Sequence, residues 1–199
     1  MYKNIEWSGI MKKLFIVTIL CLIVMSMTAI VYADPQKTTY NVAVVPYINS
    51  TEETKGYVQE IIDIKYTSQY SSGNFQMSPL VEVQNALNSV GYDVSNKELP
   101  EKDVLAAVAK QTNADYVIAM EISQLITTRH MSYFQAKVVT KAKLRYKFYN
   151  AEKDQLVSFQ VTGLSENKTV FGGVGYKAPI TIALNQAMDE ANLKIKSNL

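Results

Sequence analysis

Three patterns of apolar residues divide this 199-residue chain. Residues 14–32 are apolar almost without interruption, and Lys12 and Lys13 stand directly before them. Between 41 and 122, short β-branched runs take turns with apolar residues spaced three or four apart, the marks of buried strands and one-sided helices. From Phe134 onward apolar and polar residues alternate, which predicts a strand with one dry and one wet face.

Asn41 to Tyr47 is a β-branched run closed by Pro46 and reads as a strand buried on both sides. Ser50 and Glu53 have the spacing of a capping box, and Tyr57, Val58, Ile61, Ile62 and Tyr66 follow at helical intervals. After a turn at 71–74 come a short strand at 75–77 and a helix capped by Ser78 with Pro79 in its first position. Its apolar residues Leu80, Val83, Leu87 and Val90 predict one buried stripe ending at Gly91. Pro100 opens a third helix carrying Val104, Leu105 and Val108, and 116–122 is a second central strand. The alternation over 134–148, a turn at 149–154 and a return over 155–163 predict a long hairpin, and Pro179 opens a last helix. The order β-α-β-α-α-β-β-β-α predicts an α/β fold: a three-layer mixed sheet with flanking helices and a long antiparallel hairpin near the C-terminus.

The first apolar run is an export signal in form. A basic start, an apolar middle and small residues at Val31 and Ala33 compose a signal peptide over 1–33, with cleavage between Ala33 and Asp34. At about 19 residues the run also approaches the length of a membrane span, so an uncleaved anchor over 14–32 is the competing reading. Both place 34–199 outside the cytoplasm as one domain. Met1 and Met11 are both candidate starts. Cys21 is the sole cysteine and follows Leu20, where a lipidated cysteine needs a small residue before it. A cleaved chain therefore has no thiol for a disulfide, metal or nucleophile.

Of the 20 basic and 18 acidic residues, Lys3, Lys12, Lys13 and Glu6 precede residue 34, which leaves a neutral domain. Neutrality speaks against bulk nucleic-acid binding. The alternating strand nevertheless concentrates charge, since Lys137, Lys141, Lys143, Arg145 and Lys147 share its wet face. Same-face residues stand ~6.6–6.8 Å apart, so the row could meet an acidic protein, an anionic wall polymer or a membrane surface. The plain alternative is a solvated face whose lysines keep a sheet edge from pairing. No aromatic interrupts the row, as single-stranded nucleic acid would require. Tyr133, Tyr146 and Tyr149 lie near the hairpin as candidate contact residues.

Val42-Ala43-Val44-Val45-Pro46-Tyr47 with Asn49, then Val81 to Leu87, Gly91-Tyr92-Asp93, Leu105 to Lys110 and Ala114 to Ile118, resembles the CsgG-type envelope domain. That group includes the curli secretion lipoprotein, the outer-membrane activators of penicillin-binding proteins and the N-terminal domain of TolB. The resemblance covers most of 41–122 and implies an envelope setting and a non-enzymatic role. The lipobox of many members is missing, and no pair of long pore hairpins is evident.

Catalytic signatures are sparse. His130, the single histidine, is expected in a loop between two strands with no second ligand or acid beside it. Gly172, Gly173 and Gly175 form a glycine-rich stretch without the spacing or lysine of a P-loop, and read as a mobile loop before the last helix. No cofactor, metal site or catalytic set is expected. The pattern predicts a non-enzymatic accessory factor of the cell envelope that binds protein or wall material. A small-ligand sensor or an enzyme with a dispersed site is the alternative, and self-assembly through the hairpin is a third reading.

Overall fold

A computed structural model describes residues 39–199, apart from 54, 132, 134, 135 and 170–174. The expected leader, its cleavage point at Ala33 and Asp34, and Gly172 and Gly173 fall outside the described residues. Strands β1 (Tyr40–Val44), β2 (Ile48–Asn49), β3 (Phe75–Met77), β4 (Tyr116–Met131), β5 (Ala136–Asn150) and β6 (Gln155–Thr169) form one sheet in the order β3-β1-β4-β5-β6, with β2 also on β4. β3, β1 and β4 run parallel, whereas β4, β5 and β6 are antiparallel. The mixed sheet agrees with the pattern of the sequence: crossover helices join the parallel strands, and a tight turn at 151–154 joins β5 to β6.

Both faces of the parallel half are covered. Val42 of β1 and Tyr116, Ile118, Met120 and Ile122 of β4 pack with α1 (Gly56–Tyr70) and α4 (Lys177–Lys196). Their neighbours Ala43, Val117 and Ala119 pack with α2 (Leu80–Ser89) and α3 (Lys102–Thr112) on the opposite side. Period-two alternation between two buried faces is why these strands read as continuous apolar runs. On α4, Ile180, Leu184, Met188 and Ile195 are all at most 2% exposed, each contributing about 1.5–3 kcal/mol of burial.

Local expectations fail where competing partners exist. Ser50 and Glu53 do not cap α1, whose N-cap is Lys55 without a side-chain bond. The segment instead closes on itself: Asn49 Oδ1 accepts from the Thr51 N–H at 3.0 Å, and Asn49 Nδ2 donates to the Glu53 carbonyl at 2.6 Å. Pro79 rather than Ser78 takes the cap position of α2. Leu80 of this helix and Val90 at its C-cap are 54% and 38% exposed, and Ala86 is buried in their stead. Helices α3 and α4 start at Lys102 and Lys177, two residues from the prolines expected to open them.

Strands β4 and β6 exceed their expected lengths. β4 continues to Met131, so His130 lies on an exposed strand end and not in a loop. A register shift between Ile122 and Gln124 breaks the β4–β5 ladder, and the Ser123 hydroxyl donates to the Lys143 carbonyl there at 3.2 Å. One extra residue reverses the alternation. Leu125, opposite Ala142, therefore packs on the core, and Ile126 turns to the other face.

Candidate functional site: an uncovered basic sheet face

Helices α2 and α3 cover only part of their face of the sheet. They pack over Val117, Ala119 and Tyr149, and among the described residues no element covers the face beyond this edge, which three long strands build. Reading across β4, β5 and β6, its rows are Glu121–Arg145–Gln160, Gln124–Lys143–Thr162, Ile126–Lys141–Leu164, Thr128–Val139–Glu166 and His130–Lys137–Lys168. All the expected cations thus share one side of β5, with Lys147 at the covered end. β5 lies between β4 and β6, however, so its lysines do not guard an edge.

Tertiary neighbours divide the five cations into two classes. Arg145 holds Glu121, whose side chain is 5% exposed, through Nε at 2.7 Å and through Nη2. Lys147 is likewise anchored, reaching Glu101 at 2.9 Å and the Leu99 carbonyl at 3.3 Å. At the far end Lys137 binds Glu166 at 2.7 Å, and Lys168 binds the same carboxylate at 2.8 Å. These two ammonium groups, Lys137 first, hold the Glu166 carboxyl down to a pKa of about 2. Lys141 and Lys143 have no anionic partner among the described residues.

The central row combines charge with apolar surface. Ile126 and Leu164 are 50% and 56% exposed and flank Lys141 directly across the ladder. Adjacent strands are ~4.8 Å apart, so both aliphatic side chains border the free ammonium. Beside the covered end, a cleft of about 540 Å³ opens between the 98–101 link and β5–β6, lined by Glu98, Leu99, Glu101, Arg145, Lys147 and Gln160 among others. An open, cationic, partly apolar sheet can dock a large complementary surface. Among the described residues no group on it is hydrogen-bonded as a nucleophile to a base.

The apolar pair and the ion pairing were not visible in any one segment. Ile126 changes sides because of the bulge at Ser123, and Leu164 falls just past the expected end of β6. The three tyrosines separate: Tyr146 and Tyr149 are buried, contrary to a contact role, whereas Tyr133 is fully exposed. Gly175 precedes α4 in open space. Among the described residues no group of three or more His, Cys, Asp or Glu could hold a metal ion, and no helix is long and apolar enough to cross a membrane.

Backbone comparison finds related arrangements. Hypothetical protein CT253 from Chlamydia trachomatis is 14% identical with a TM-score of 0.49, over 80% of this chain and 95% of that one. Lipoprotein GNA1162 from Neisseria meningitidis is 11% identical with a TM-score of 0.45, over 80% and 99%. The LpoB C-terminal domain from Escherichia coli is 11% identical with a TM-score of 0.42, over 69% and 90%. None of these three carries the CsgG-type label. No family model and no curated protein sequence matches the chain.

Proposed function

We propose that the chain is an exported, non-enzymatic accessory protein of the cell envelope. Residues 1–33 direct export with cleavage between Ala33 and Asp34, and 34–199 act as one domain. This domain docks by the uncovered face of β4–β6 on an acidic envelope protein, with anionic wall polymer or lipid as the competing surfaces. One observation carries the reading: Lys141 and Lys143, unlike the other cations of the row, have no anion of their own among the described residues, and Ile126 and Leu164 flank Lys141. Unpaired cations steer association, and the aliphatic neighbours supply area that excludes water once contact is made.

The test is crosslinking in the native envelope from a photoreactive residue at Leu164, with one at Leu193 of α4, 70% exposed, as the control. A protein adduct specific to Leu164 that disappears in Lys141→Glu/Lys143→Glu supports the reading. Identical adducts in the charge-reversed chain remove the surface assignment. Intact mass of the native species reads the leader: a chain starting at Asp34 supports cleavage, and one retaining 14–32 supports a tether.

A further inference from the structure

A second concavity lies away from the basic face, where the parallel strands end. The chain leaves β1 toward α1, which packs on one face of the sheet, and leaves the adjacent β3 toward α2, which packs on the other. The two connections therefore part at the carboxyl ends of these adjacent parallel strands, and a crevice is left between α1 and the start of α2. A cleft of about 380 Å³ occupies it, within the ~300–1,000 Å³ range of small-molecule pockets.

The lining defines the chemistry. Val44, Pro46 and Met77 supply apolar walls from the strand ends, and Leu80, 54% exposed, extends them at the mouth. Asp63 of α1 is the single formally charged residue of the lining, with no lysine or arginine there to neutralise it. Its Oδ1 accepts from Gln59 Nε2 at 2.7 Å, and among the described residues no cation pairs with it. Tyr47 brings its phenol to the same space. Burial first, and then the nearby Asp63 carboxylate, push that phenol above its ordinary pKa, and a neutral phenol ring attracts a cation over its face.

We propose that this crevice binds a small primary amine with a short aliphatic body. The ammonium would sit between the Asp63 carboxylate and the Tyr47 ring, with the carbon chain along Val44, Pro46 and Met77. An anionic ligand finds no cation in the lining. This site is separate from the basic sheet face and stands without it.

The experiment titrates the native protein with n-butylamine, n-butanol and butyrate while following backbone amide shifts. The amine is expected to move the amides of Val45, Tyr47 and Ser78 together, with a dissociation constant of the order of ~1 mM. Butanol and butyrate are expected to bind at least roughly tenfold more weakly. Asp63→Asn, at an exposed helix position, is expected to remove the preference for amine over butanol and to leave shifts elsewhere unchanged. Equal response to amine and alcohol overturns the proposal. So does unaltered amine binding in Asp63→Asn, or the absence of saturable shifts at these amides up to ~0.1 M amine. Lys141→Glu/Lys143→Glu is expected to bind the amine normally, which keeps this outcome distinct from that of the docking face.

Discussion

Gly163→Ala adds one methyl group at the contact that holds α4 on the sheet. Gly163 of β6 lies opposite Ala142, and a Cβ there would stand 1.8 Å from the Ala183 carbonyl oxygen, 2.8 Å from its carbon and 2.9 Å from the Ala187 nitrogen. Every one of these atoms is helix backbone, so no rotamer change relieves the clash. The helix must recede by roughly 1.5 Å before ordinary contact returns. A gap near 1 Å already forfeits about half the dispersion energy of the atoms facing it. Leu184, fully buried next to the contact, makes ~40–60 atomic contacts at ~0.1–0.2 kcal/mol each. Halving those directed at the sheet costs about 2 kcal/mol, and Ile180 and Met188 lose part of theirs as well. The expected total is about 3 kcal/mol, at the upper end of ordinary overpacking. Denaturant unfolding should show this as a lower midpoint at unchanged slope, and thermal unfolding as a fall of ~6–12 °C. Gly175→Ala, with open space around its Cα, should change stability by less than ~0.5 kcal/mol. If Gly163→Ala were equally silent, the close approach of α4 and β6 would be refuted.

Arg145→Met should cost about 2–4 kcal/mol in unfolding, because it leaves the buried Glu121 carboxylate without its cation. The double variant with Glu121→Gln should recover more than half of that loss, and simple additivity would argue against the pair. Arg145 is for this reason a poor probe of docking, whereas Lys141 and Lys143 should tolerate charge reversal with less than ~0.5 kcal/mol of lost stability. The Glu166 carboxyl should titrate near pH 2 by NMR and move upward toward an ordinary 4.5 in Lys137→Ala. Because its folded pKa is depressed, whatever it adds to the hairpin is present above about pH 4.5 and fades as pH falls toward 2. A wild-type midpoint above 4 would contradict the paired geometry. His130→Ala, at an exposed strand end, should leave stability within ~0.5 kcal/mol of wild type.

The parallel core and the hairpin were legible because their burial is periodic. Val42 and Ala43, or Val117 and Ile118, face opposite helical layers, and a strand apolar at every position has few other destinations. On β5, Ala136, Val138, Ala142, Leu144, Tyr146 and Phe148 are buried as the alternation requires. Helix ends were less legible, since a cap depends on which of several nearby N–H groups a short polar side chain reaches. Asn49 and Thr51 engage each other and the backbone near Glu53, and this takes the capping box away from α1. The exposed Leu80 shows the same limit on α2: helical spacing locates a stripe, but the neighbouring element decides how wide a stripe it covers.

By itself the sequence determined the α/β layering, the order of elements and the alignment of five cations on one side of a strand, because period and composition are local properties. Tertiary structure alone decided which cations remain available. Glu121 comes from β4, Glu101 from the link before α3 and Glu166 from β6, and ion pairing between them and β5 follows ladder register and helix placement. It also decided that β5 is an inner strand, that the bulge at Ser123 turns Ile126 outward beside Lys141, and that the chain leaves β1 and β3 toward opposite faces to open the Asp63 crevice. Each of these depends on residues distant in sequence meeting in space, which no periodicity within one segment encodes.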